Sequence, residues 1–120
     1  MNKARILALA DHIEGLPDDE FTMSSFVQYK PGRPGGTPAC IAGWAVWLWG
    51  SWGKTYNSWR FSEAAKQLLA LEYKQYSPLF FGKGTRLQAV AVLHHLAATG
   101  EVDWTGPRKE TEGRLDGAHA

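Results

Sequence analysis

The sequence predicts an all-α, or predominantly α, single compact domain of about five helical elements around a buried apolar helix, Pro38–Trp49. Three observations carry that prediction. Apolar residues recur at helical spacing in successive segments, each bounded by capping or breaking residues. Strand-like alternation occurs only between Phe21 and Tyr29, and Phe26 interrupts it. At 120 residues, 44% hydrophobic and 21% charged, the chain has room for one domain and is too apolar for wholesale disorder.

The elements follow in order. Asn2 is placed to cap a first helix whose apolar stripe is Ile6, Leu9, Ala10 and Ile13. Arg5, Asp11 and Glu14 fall away from that stripe toward solvent, and Gly15 and Pro17 end the helix. The acidic run Asp18-Asp19-Glu20 reads as a solvated turn, and Phe21–Tyr29, with Phe21, Met23, Val27 and Tyr29 alternating, as a short extended segment. Lys30 to Gly36, Lys-Pro-Gly-Arg-Pro-Gly-Gly, has five Gly or Pro in seven residues and must be a loop. Thr37 then supplies an N-cap, and Pro38 suits the first helical turn, where its missing N–H costs nothing. The helix that follows, to Trp49, has no polar face, so it is central to the fold or covered by a partner.

Gly50 to Asn57 is an aromatic, glycine-rich connection. A third helix, from Ser58 or Ser62 to Leu71, carries Phe61, Ala64, Ala65, Leu68 and Leu71 on one face. A short fourth element covers Glu72–Phe81, and Gly82-Lys83-Gly84 turns the chain. Thr85 and Gln88 fit the capping box T-x-x-Q, opening a last helix that runs to Thr99 with Gly100 as its C-cap. Its expected core stripe is Leu87, Val90, Ala91, His94 and Ala98, broadened by Leu93 and Ala97. Residues 1–104 thus read as one helical domain and 105–120 as a polar, flexible tail.

Three segments together carry a resemblance: Ala10-Asp11-His12-Ile13-Glu14, the run Thr37-Pro38-Ala39-Cys40-Ile41-Ala42-Gly43-Trp44, and the run from Val92 to Trp104, Val-Leu-His-His-Leu-Ala-Ala-Thr-Gly-Glu-Val-Asp-Trp. With Leu79-Phe80 between them, they resemble a group of small uncharacterised proteins of bacteria, phages and other mobile elements. Those proteins share a G-T-x-A-C-I-A-G-W/H segment and a C-terminal H-L-A-x-T-G-x-V-D-W segment. The likeness covers nearly the whole folded part and implies an origin and a fold, not a reaction. Pro31 to Gly36 and the Trp-rich stretch Trp47 to Trp59 look particular to this chain.

Composition narrows the function classes. Thirteen basic against twelve acidic side chains leave little charge for neutralising duplex phosphates, so nucleic-acid binding is not favoured. A single cysteine excludes an internal disulfide and a multi-cysteine zinc site. The apolar run before Asp11 is too short for a signal-peptide core, and Pro38–Trp52 is shorter than the ~20 residues of a membrane span. A soluble protein of the bacterial host cytoplasm, without membrane or cofactor, is expected.

Cys40 is the enzymatic candidate. With Thr37 as cap it occupies the third helical position, where free N–H groups and the helix dipole favour a thiolate. His94 on the inward stripe of the last helix is its natural base, with Asp103 or Glu101 to orient it. The plainer alternative is a buried cysteine among Ala and Ile, packing as a small hydrophobe. A metal site from His12, Cys40 and His94 has no ligand-spacing signature, so none is expected. Gly82 to Thr85 lacks the phosphate-loop pattern, and a turn with an N-cap explains it. Lys54, Arg60, Lys66, Lys74, Lys83 and Arg86 beside Trp52, Tyr56 and Trp59 leave single-strand base stacking open as a further alternative.

The tryptophans are the remaining lead. Five of the six lie between Trp44 and Trp59, and a domain this small has limited room for five indoles. Trp44 and Trp47 are expected in the core. Trp49, Trp52, Lys54, Tyr56, Trp59 and Arg60 are expected to supply an interaction surface for a larger protein or complex. The leading expectation is therefore a small non-enzymatic binding protein, with inhibition of a bacterial defence complex such as a CRISPR effector as one job. A thiol-dependent hydrolase or transferase using Cys40 and His94 is the alternative from another class.

Overall fold

A computed structural model describes residues 1–23, 39–50 and 58–105, with side chains of the third helix described from Ser62 onward. The expected Lys30–Gly36 loop, the Thr37 cap, most of the extended segment and of the Gly50–Asn57 connection, and the polar tail lie outside these residues. The architecture is all-α, and the described residues hold five α-helices: α1 Lys3–Glu14, α2 Ile41–Trp49, α3 Ser58–Leu69, α4 Tyr73–Phe80 and α5 Arg86–Thr99. Among the described residues, no helix is long and apolar enough to cross a membrane.

Helix α1 forms as its sequence directs. Asn2 Oδ1 accepts from the Arg5 backbone N–H at 3.1 Å, and Ile6, Leu9, Ala10 and Ile13 are buried. This stripe lies along α5, while α2 packs along α3; these are the two most extensive helix pairs. Helix α4 packs against α2 and α3. Each fully buried Leu or Ile in these seams contributes about 1.5–3 kcal/mol through apolar burial.

Two arginines close helix ends across the fold. Arg86 donates to the carbonyls of Glu14 at 2.6 Å and Ile13 at 3.3 Å, and pairs with Asp18 at 2.9 Å. It thereby satisfies carbonyls that the end of α1 leaves without intrahelical donors. Arg5, expected in solvent, is instead partly buried and donates to the Leu68 carbonyl at the end of α3, at 2.9 Å. The Asn2 backbone N–H serves Leu69 in the same way at 2.8 Å. Beyond that end, Ala70 takes a left-handed φ of 53°.

Helix α2 starts later than the sequence implies. Ala39 forms an isolated parallel bridge with Phe21: its N–H donates to the Glu20 carbonyl, and its own carbonyl accepts from Thr22. Those bonds hold Ala39 and Cys40 extended, so the helix begins at Ile41 with Cys40 as its N-cap, not at Pro38. Phe21 confirms the beginning of the expected extended segment.

Helix α5 keeps its predicted ends and turns part of its expected face outward. The Thr85–Gln88 capping box is present, and Gly100 closes the helix at φ 79°, where a side chain would be strained. The buried residues are Ala89, Val90, Val92, Leu93, Leu96 and Ala97. Of the expected stripe, Val90, Leu93 and Ala97 are buried, whereas Leu87 is 59% exposed and His94 and Ala98 are also exposed. Turning Val92 and Leu96 inward removes more apolar surface from water than burying His94 and Ala98 would.

Candidate functional site

Six consecutive residues of α2, Ile41 to Val46, are buried, and then the helix reaches the surface. Trp44 is 4% exposed, as expected of a core residue, and its indole N–H donates to the Glu20 carbonyl at 3.1 Å. Trp47, also expected in the core, is 49% exposed. Its ring meets Trp44 edge-on, with centroids 6.3 Å apart, which holds the exposed indole against a fixed neighbour. Trp49, expected outside, is half-buried against the core beneath the Arg5 guanidinium, 5.3 Å from its ring centroid. The last turn of α2 thus sets Trp49 under Arg5 of α1 and leaves Trp47 exposed. Trp52, Lys54 and Tyr56 lie outside the described residues, as do the side chains of Trp59 and Arg60.

The thiol candidate is assembled differently from expectation. Cys40 is 2% exposed. Burial pushes its thiol up to about 11, outweighing the backbone N–H groups of Gly43, Ala42 and Cys40 itself, which pull the other way. The helix start does favour a thiolate, but desolvation wins by enough to keep the sulfur protonated at neutral pH. His94 stands on the exposed face of α5, so the candidate base lies outside while the candidate nucleophile is enclosed. Asp103 is exposed too, and its carboxylate accepts from the Thr105 backbone N–H at 2.8 Å, a local turn bond.

Two of the other basic residues and the glycine-rich turn are likewise taken up by structure. Arg86 caps α1, and Lys66 pairs with Glu63 at 3.1 Å and lies 5.4 Å from the Tyr76 ring centroid. The Gly82-Lys83-Gly84 turn is covered by the Trp104 indole, whose N–H donates to the Pro78 carbonyl at 2.9 Å. A Cβ at Gly82 would lie only 2.0 Å from that ring, and one at Gly84 2.7 Å from it. These glycines admit an indole, not a phosphate. An open cleft of about 510 Å³ runs between Phe21 and Leu87, but Asp18 and Arg86 on its wall already pair with each other.

Two groupings escaped the sequence reading. On α1, the His12 ring packs against Trp44, tilted by 57° with centroids 5.0 Å apart. Its buried Nε2 has no hydrogen-bond partner among the described residues. Desolvation lowers its pKa, opposed by the charge of Glu20. Across the α1–α5 seam, Asp11, Glu14 and His94 bring one potential ligand atom each to within 4.8 Å of one another, all three residues exposed. The i, i+3 spacing of the two acids was legible in the sequence; the turn of α5 that brings His94 to them was not. The chain matches no protein-family description, curated protein or solved structure.

Proposed function

We propose that this chain is a non-enzymatic binding protein that acts by occupying a surface of a larger protein, with Trp47 as an anchor. The exposure of Trp47 on a helix otherwise buried from Ile41 to Val46 carries that reading. A large indole fixed by packing presents apolar area and loses little side-chain entropy on binding, which is why Trp dominates interface hot spots. The enclosed, protonated Cys40 and the outward His94 speak against thiol catalysis.

Inhibition of a bacterial defence complex, such as a CRISPR effector, is the job we propose within that class. It rests on the resemblance to phage and mobile-element proteins and on the size of the chain. The test is co-purification of the tagged full chain with purified effector complexes, wild type beside Trp47→Ser. Stoichiometric retention by wild type, weakened at least about tenfold in the variant, is expected for a hot-spot residue. Equal retention of both proteins would remove Trp47 from the interface, and retention of neither would remove the defence complex as partner.

A further inference from the structure

We propose that Asp11, Glu14 and His94 form a surface site for a divalent transition-metal ion of the zinc class, clamping α1 to α5. Asp11 and Glu14 stand three residues apart on α1 and so share one face. His94 reaches them from α5, the helix against which α1 packs most extensively. The three ligand atoms lie within 4.8 Å of one another. Around one tetrahedral ion, with bonds of about 2.1 Å, such atoms would stand about 3.4 Å apart. The side chains are exposed, so modest rotations close that gap without moving either helix.

Charge and chemistry point the same way. Two carboxylates converge here, and among the described residues neither makes an ion pair with a lysine or arginine. A divalent cation would relieve their repulsion. One imidazole with two carboxylates selects a borderline ion such as Zn²⁺ over Mg²⁺ or Ca²⁺, which prefer oxygen ligands throughout. The fourth position faces solvent and takes water. His95, one residue on, points roughly 100° away around the helix and stays outside the site.

The probe is ZnCl2, titrated calorimetrically into the chelator-stripped full chain, with thermal unfolding followed in parallel. Wild type should bind one ion saturably, and its midpoint should rise by several degrees at about a hundredfold excess over Kd. His94→Ala and the double variant Asp11→Asn/Glu14→Gln should each weaken binding at least about tenfold and abolish the thermal shift. His95→Ala should leave both unchanged. All these positions are exposed, so each variant is expected to fold, and circular dichroism of the metal-free protein checks that. No saturable binding by wild type would overturn the proposal. So would zinc binding that survives His94→Ala, or that is lost in His95→Ala.

Discussion

The two ends of α2 are equally apolar in sequence and opposite in fate. From Cys40 to Val46 every residue is buried, between α1, α3 and the Phe21–Ala39 bridge. From Trp47 to Gly50 the helix emerges: Trp47 and Gly50 are exposed, and Leu48 and Trp49 are half-buried. The sealed end encloses a cysteine at a helix start and keeps its thiol protonated at neutral pH. The open end leaves a tryptophan that looks like core exposed at the surface. Hydrophobicity records that a residue would gain from burial; whether it is buried depends on which neighbours reach it.

This contrast can be broken at several points. The largest effect should come from the sealed end. Ile41→Ala removes a side chain with no exposed surface and should cost about 3 kcal/mol in urea unfolding. A cost under about 1 kcal/mol would mean that this end is far less closely packed than it is here.

Cys40 gives a pH signature of nearly the same size. Its thiol ionises at about 11 in the fold against 9.0 for the free group, so the unfolded chain loses the proton first as pH rises. The contribution to stability is complete below pH 9 and lost between 9 and 11, in total on the order of 2–3 kcal/mol. Stability curves of wild type and Cys40→Ala across that window should converge as pH rises. A native thiol that reacts with an aqueous disulfide reagent as fast as free cysteine would show that the end is not sealed.

At the boundary between the ends, Arg5→Ala removes both the donor to the Leu68 carbonyl and the cation over Trp49. It should cost about 1–2 kcal/mol and expose Trp49, seen as increased fluorescence quenching by acrylamide. The smallest stability effect belongs to the open end. Trp47→Ser should cost about 1 kcal/mol or less and lower the quenchable share of the fluorescence. A loss as large as that of Ile41→Ala would show that Trp47 supports the fold and would weaken its assignment as an anchor.

Much of the fold is local and was readable locally. The cap at Asn2, the stripe of α1, the Thr85–Gln88 box and the left-handed Gly100 each depend on residues within a few positions of one another. A polar cap or a glycine stop acts within one turn, so sequence spacing suffices. The same holds for the class, all-α, which follows from helical spacing repeated along the chain.

What required the tertiary structure was every choice between two apolar faces. Helix α5 carries apolar residues nearly all round, so its period could not say whether Leu87, His94 and Ala98 or Ala89, Val92 and Leu96 turn inward beside Val90, Leu93 and Ala97. The start of α2 was set by the bridge between Phe21 and Ala39, whose partner lies eighteen residues away. In the fold, His94 lies beside Asp11 and Glu14, Cys40 is enclosed and Trp47 is exposed. The sequence by itself determined the class, the caps and the stripe of α1, because those interactions are short-ranged. Only packing decided which cysteine, histidine and tryptophan atoms water can reach, because burial depends on the elements that cover a residue and not on its neighbours in the chain.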